Sequence, residues 1–389
     1  MGVNLAEVVD PVDQATPTSV PAFPWPAEEG KLICRSQFTG ANRENLERIA
    51  FAYGSAPESY DVVISKGSLL ATPCGQGVLA VLPDRRYWHM PGGLLAADEL
   101  KPHLVQWLKR ISDENRITAA VYSIADDDVP IFLDAGFEVS KFGEEPVLDL
   151  GSITWKGKEF EWVRRQTNFC RRAGLQVVEL ADDDDDRYAL APELVSILRE
   201  DLSAKTYSQP LRLMEGEFDP LAMFRRRLFL ARSAETGRIE AFLACSPMQN
   251  GTAWSFETYR KRNDAPRGTI AFLFREVIDQ LQSEGAKLVS LCLVPGKGTD
   301  EQSSPTASWM VRLSMSLWYK RLNFLFNSKG QNYFKSRFRP RFVNRSVCVT
   351  PGTSIMSITS FMRTAGAFTP NLRNLASNIW NCCGNSLPE

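Results

Sequence analysis

Two periods of apolar residues alternate along the chain, one near 3.6 and one near 2, and their order runs through twice. In the first pass, Asn42 to Tyr53 reads as a helix. Asp61 to Leu82 holds strand-like pieces, VVI and GVLAVL, broken by Gly and Pro. Ala97 to Ser112 puts Leu100, Leu104, Trp107, Leu108 and Ile111 on one helical face. Ile117 to Ile124 reads as a buried strand and Asp128 to Ala135 as a short helix stopped by Gly136. Phe137 to Phe142 and Pro146 to Leu150 read as two further strands. In the second pass, Leu190 to Leu202 is helical, and strands follow at Met223 to Ala231, Ile239 to Ser246 and Ala253 to Tyr259. Thr269 to Gln282 is a long amphipathic helix, Leu288 to Leu293 a buried strand, Trp309 to Leu322 a helix and Ser346 to Val349 a last strand.

Between the passes, a basic helix starts near Phe160 and ends at Gly174, carrying Arg164, Arg165, Arg171 and Arg172. It is either a solvated basic face or an anion-binding one. The acidic run Asp182 to Asp186 reads as a solvated loop or a helix start. The expected organisation is a Pro-rich leader at 1–30, a first lobe at 31–150, the basic linker and acidic loop at 151–187, a second, catalytic lobe at 188–350 and a mobile tail at 351–389. The fold class is α/β (α+β). The first pass closes on a small helix and the Gly-aromatic turn AGFEVSKFGEE, which resembles the closing half of an N-acetyltransferase fold. Two such lobes in tandem are expected, each a mixed sheet flanked by helices.

Length is consistent with two lobes, since 389 residues exceed one ordinary core. A formal net charge of −1 excludes a generally basic, nucleic-acid-coating protein but not a local basic patch. No apolar run approaches the roughly 18 residues of a membrane span, and Met1 to Glu29 lacks the pattern of a secretory signal. A cytoplasmic chain is expected, with peripheral membrane contact at most. The eight cysteines make no CxxC pair and the two histidines, His89 and His103, are not clustered, so no metal site is expected and the thiols read as buried and reduced. His89, in YWHM, reads as structural. Adjacent Cys382 and Cys383 give a weak lipidation signal.

An acetyl-CoA enzyme holds the cofactor pyrophosphate on a Gly-rich turn at a helix N-terminus. The turn here, Ala265 to Ala271, offers one glycine, Gly268, where that family usually offers two. A CoA-dependent N-acyltransferase is the alternative reading, and a non-catalytic binding module on the same scaffold is a third.

Three stretches carry a more specific match. GEEPVLDL (Gly143 to Leu150) is followed by VRRQTNFCRRAG (Val163 to Gly174); ETYRKRNDAPRGTIAFLF spans Glu257 to Phe274; KGQNYFKSRFRPRFVNRSVCV spans Lys329 to Val349. Together they resemble the catalytic domain of the phosphatidylglycerol lysyltransferase (aminoacyl-lipid synthase, DUF2156) family. Where that family often carries Met-Asp, this chain has Ile270-Ala271, and Phe342 replaces an expected Trp. The resemblance implies two acetyltransferase-like lobes and transfer of an amino acid from aminoacyl-tRNA, as co-substrate, to a lipid or lipid-like hydroxyl, with no other cofactor and no metal. It places Glu257 on the α-ammonium, Arg260 in the pocket beside it, Lys335 near the carbonyl or a phosphate, Arg345 near a phosphate, and Arg267 and Gly268 at the substrate-binding turn. Lys320, Arg337 and Arg339 then add tRNA-facing charge. Read without the family, Glu257 and Arg260 form an ion pair and Lys335 shields Phe334 and Phe338.

Overall fold

The computed structural model describes residues 30–34, 40–64, 67–180, 184–223, 225–301 and 304–376. The leader expected at 1–30 and the Cys382–Cys383 pair fall almost wholly outside them. The first half runs β1 (Ile33–Cys34), α1 (Gly40–Tyr53), α2 (Asp61–Ile64), β2 (Ser68–Ala71), β3 (Val78–Asp84), β4 (Tyr87–Met90), α3 (Lys101–Glu114), β5 (Thr118–Ala125), α4 (Val129–Asp134) and β6 (Glu138–Asp149). The basic helix α5 (Glu161–Arg172) leads to the second half: β7 (Leu175–Leu180), α6 (Asp184–Ser203), β8 (Arg227–Ser233), β9 (Ile239–Met248), β10 (Ala253–Lys261) and α7 (Thr269–Ser283). Then come β11 (Leu288–Ser290), β12 (Val294–Pro295), α8 (Trp309–Lys320), α9 (Ser328–Ser336) and β13 (Arg341–Thr350), with α10 (Ile355–Ala365) following.

The strands form one sheet in the order β1-β2-β3-β4-β5-β13-β6-β11-β10-β9-β8-β7, with β12 also on β6. Read inward from either end, the two halves match. Antiparallel strands come first, then one parallel pair joined across a helix: β4 to β5 through α3, and β10 to β11 through α7. At the centre the halves exchange their last strands. β13, from the second half, lies antiparallel on β5 of the first, and β6, from the first, lies antiparallel on β11 of the second. The two exchanged strands pair with each other from Arg341↔Val147 to Val349↔Glu138.

The cores follow the exchange. Cys348 of β13 is buried among first-half residues Leu79, Leu104, Leu108, Val121 and Phe132. Leu148 of β6, with Leu150 just beyond it, is buried among second-half residues Leu243, Phe256, Phe274 and Ile278. Each fully buried Leu, Ile or Phe contributes about 1.5–3 kcal/mol, so these contacts bind the halves firmly.

Several local readings change. The VVI piece lies in the short helix α2 and not in a strand. β6 is one strand where two were expected, because Gly143 lets the backbone of β12 approach closely: a Cβ there would meet the Val294 carbonyl at 2.5 Å. The 288–293 strand stops at Ser290, and Cys292 takes a left-handed φ of 62° before β12. Where a mobile tail was expected, Ser354 and Ser357 form a capping box that starts α10, and Gly366 ends it at φ 80°. β7 and α9 had no sequence expectation. Cys34 and Cys74 are exposed, whereas Cys170, Cys245 and Cys348 are buried as expected. His89 is buried between the Tyr122 and Ser360 hydroxyls at 2.8 and 2.9 Å, and burial pushes its pKa down to about 4. Among the described residues no helix is long and apolar enough to cross a membrane.

Candidate functional site

A cavity of about 960 Å³ opens where the parallel strands β10 and β11 part. Its walls come from the end of β10, the start of α7, α9, the connector 204–216 and Glu58 of the first half.

Glu257 and Arg260 reach this cavity because β10 carries a bulge. Residues three apart on a regular strand face opposite sides. The register of β10 on β9 slips between Phe256 and Thr258, which leaves Glu257 as the extra residue. Phe256 and Tyr259 therefore share the core face, both against Phe274, with ring centroids at 4.8 and 5.0 Å. Glu257 and Arg260 line the cavity. They do not pair with each other. Oε2 of Glu257 accepts from Arg226 Nη2 at 2.9 Å and from the Ser246 hydroxyl, and Arg226 Nε also holds Ser246 at 2.9 Å. Oε1 of Glu257 is buried without a hydrogen-bond partner. Gly216 makes room for it, since a Cβ there would stand 2.5 Å from Oε1. Arg260 donates from Nη1 to the Tyr259 carbonyl at 2.9 Å and stands 3.5 Å from Glu215 and 3.6 Å from Asp201.

Lys335 arrives from α9 and is fully enclosed. Its ammonium donates to the carbonyls of Cys292 and Leu293 at 3.0 and 3.1 Å, oxygens freed by the left-handed turn after β11. Burial lowers its pKa from 10.5 to about 8, only partly opposed by surrounding acidic groups. Glu58 enters the same cavity from the first half. It accepts from the Ser123 hydroxyl at 2.8 Å, and burial raises its pKa. The start of α7 completes the wall, with Gly268 left-handed at φ 89° as its N-cap. A Cβ on Gly268 would meet the Gln166 side chain at 2.5 Å. The N–H of Thr269 donates to the Pro266 carbonyl at 3.2 Å; the next N–H groups of this first turn, beside Arg267, favour an anion. Arg267 and Gln166 also border a groove on α5 lined by Arg165, Arg171 and Arg172.

Of the residues singled out in the sequence, Glu257, Arg260, Lys335, Arg267 and Gly268 line one cavity. Lys320, Arg337 and Arg345 are not brought there. Lys320 forms an exposed ion pair with Asp300. Arg337 stacks on Tyr333 and Trp162, 4.3 and 5.7 Å from the ring centres, and so backs a wall through Trp162. Arg345 is buried in the strand exchange, paired with Glu145 and donating to the carbonyls of Ser123 and Ser55 at 3.2 Å. It holds the stretch that carries Glu58's partner Ser123. Glu58 and Arg226 had no local signal in the sequence. Glu58 comes from the first half, and Arg226, in the segment just before β8, is the one of three consecutive arginines that is fully buried.

The fold itself is shared with solved structures. The C-terminal domain (DUF2156) of an Agrobacterium fabrum protein matches with a TM-score of 0.66 at 20% identity, covering 82% of this chain and 94% of that one. The L-PGS structure from Bacillus licheniformis matches with a TM-score of 0.66 at 18% identity, covering 82% and 95%. At these identities the likeness is one of fold. The family model described as phosphatidylglycerol lysyltransferase, C-terminal, matches residues 49–349, and the chain belongs to that family. It is 25% identical over 243 residues to the phosphatidylglycerol lysyltransferase of Bacillus subtilis (strain 168), 62% of this chain but only 27% of that relative's length.

Proposed function

We propose that the chain is an aminoacyltransferase that moves an amino acid from aminoacyl-tRNA to the hydroxyl of a lipid such as phosphatidylglycerol, working at the cytoplasmic face of a membrane. The observation that carries this reading is the open Oε1 of Glu257, an acceptor held by Arg226 and Ser246 in the cavity that also contains Lys335. A buried acceptor without a partner is costly unless a ligand supplies the donor. The α-ammonium of an aminoacyl group is such a donor.

With the ammonium on Glu257, the ester carbonyl lies toward Lys335. Two of the three N–H groups of Lys335 are held by backbone carbonyls, and the third stabilises the oxyanion. The lipid hydroxyl oxygen attacks the carbonyl carbon, and Glu58, whose raised pKa makes it a stronger base, takes the proton. The bond to the ribose oxygen then breaks and that oxygen takes the proton back from Glu58, so the ester passes from tRNA to lipid with no other reactant. The basic groove of α5, with Arg165, Arg172 and Arg267, leads tRNA phosphates to the start of α7.

The test uses a pool of charged tRNAs carrying labelled amino acids, incubated with the enzyme and a lipid extract. Label in the organic phase, abolished by ribonuclease, supports the reading and identifies the amino acid. No label, together with calorimetric binding of acetyl-CoA, would replace it with CoA-dependent chemistry.

A further inference from the structure

α8 is apolar on two opposite sides. Val311, Met315 and Trp318 face inward and are buried. On the outer side Trp309, Leu313 and Leu317, spaced four apart, are 64%, 59% and 47% exposed. An exposed apolar row opposite the buried one marks a surface that meets a partner. The neighbouring helix adds to the patch. Val311 and Met315 of α8 share the walls of a small pocket with Ser357, Ile358 and Phe361 of α10. At the start of α10, Ile355 and Met356 are exposed.

Charge indicates what covers this patch. On α8, Arg312 and Lys320 lie on the outer side next to the apolar row, and Arg321 follows. The facing acids are Asp300, paired with Lys320, and exposed Glu301. The patch also runs into the site. Beyond α8, Leu322 and Leu325 pack with Trp318, Tyr207 and Met362, and Tyr207 and Leu325 line the catalytic cavity. Tyr207 in turn donates to the Ala367 carbonyl at 3.2 Å, which fixes the segment after α10 to the rim.

We propose that the outer face of α8, with the start of α10, is a docking surface for an anionic lipid bilayer. Trp309, Leu313 and Leu317 enter the headgroup region, Arg312 and Arg321 meet its negative charge, and the cavity rim is brought to the membrane surface. Its purpose rests on the lipid-acceptor reading above; the docking itself does not.

The experiment is flotation of the full chain with vesicles of phosphatidylcholine alone and of phosphatidylcholine mixed with phosphatidylglycerol. It compares wild type with the double variant Leu313→Glu, Leu317→Glu, whose fold is checked by circular dichroism. Wild type is expected to favour the anionic vesicles by about tenfold or more, with the preference lost at high salt. The variant is expected to bind them at least about tenfold more weakly, while its transfer to a soluble short-chain phosphatidylglycerol is unchanged. Equal flotation of the two proteins overturns the proposal. So does a wild-type dimer that the variant breaks, with flotation unaffected, since the face then belongs to a second copy. Loss of flotation without loss of transfer in wild type removes the docking surface and leaves the lipid-acceptor reading standing. Flotation with no transfer to any lipid does the reverse.

Discussion

The two halves use one plan of strands to different ends. In both, a parallel pair parts beyond a crossover helix, and the residue at the parting takes a left-handed turn: Ser123 at φ 61° in the first half, Cys292 at φ 62° in the second. In the first half the gap is closed. The short connector 54–60 packs into it, Ser59 donates to the Gly92 carbonyl at 3.2 Å, and Gly92 leaves no room for a Cβ against the Glu58 carbonyl. In the second half the connector after α6 is longer and its residues 204–216 line the rim, so the gap remains as the cavity. The connector after the parallel strand differs too: it carries only α4 in the first half, but α8 and α9, and with them Lys335, in the second. The shared strands provide the scaffold and the unequal connectors shape the cavity.

On the proposed reading Arg345 belongs to the scaffold and Lys335 to the chemistry. Arg345→Ala leaves Glu145 charged and buried at the exchange, and is expected to cost about 3–5 kcal/mol in urea unfolding. A loss under about 1 kcal/mol would show that the exchange does not depend on this pair. Lys335→Met removes a desolvated ammonium, so transfer is expected to fall by about 100-fold while unfolding stability at neutral pH holds or rises. Parallel loss of both would make Lys335 part of the scaffold.

The pH profile sharpens the same assignment. If the Lys335 cation serves the oxyanion, transfer declines as pH rises through about 8, and Lys335→Arg removes that limb. Stability moves the other way. Between about 8 and 10.5 the unfolded chain binds the proton that the folded chain has released, so this group makes the fold more stable as pH rises through that window. The smallest effect is expected at Gly268. Gly268→Ala must hold φ 89° against Gln166 and is expected to cost about 1–2 kcal/mol, read as a fall in Tm, with a weaker apparent affinity for charged tRNA.

Most elements were legible because each is set by a local period: α3, α7 and β9 lie close to where their apolar residues place them. The motif stretches also brought Glu257, Arg260, Arg267, Gly268 and Lys335 to one place. Non-local pairing was not legible. Nothing near Gly143 announces that its strand will serve the other half, and nothing near Glu58 announces a cavity built by residues far along the chain. The bulge at Glu257 escapes local reading because it is a property of the pairing with β9, not of the residues themselves. The VVI segment was misread because β-branched residues favour strands, whereas the four residues from Asp61 close a single helical turn. α10 was missed although Ser354, Ser357 and Gly366 carry its start and stop signals.

The strand exchange has a consequence for synthesis. On the ribosome the first half emerges whole, up to β6, yet the place beside β5 stays vacant until β13, near the far end of the described chain, has been made. During that interval β5 offers unpaired backbone groups along one side, and Leu148 of β6 has no second core to enter. The first half cannot be finished before the second. A nascent chain halted before Arg341 is therefore expected to be captured by chaperones or to pair with another copy, and a separately supplied C-terminal piece beginning before β13 is expected to rescue it.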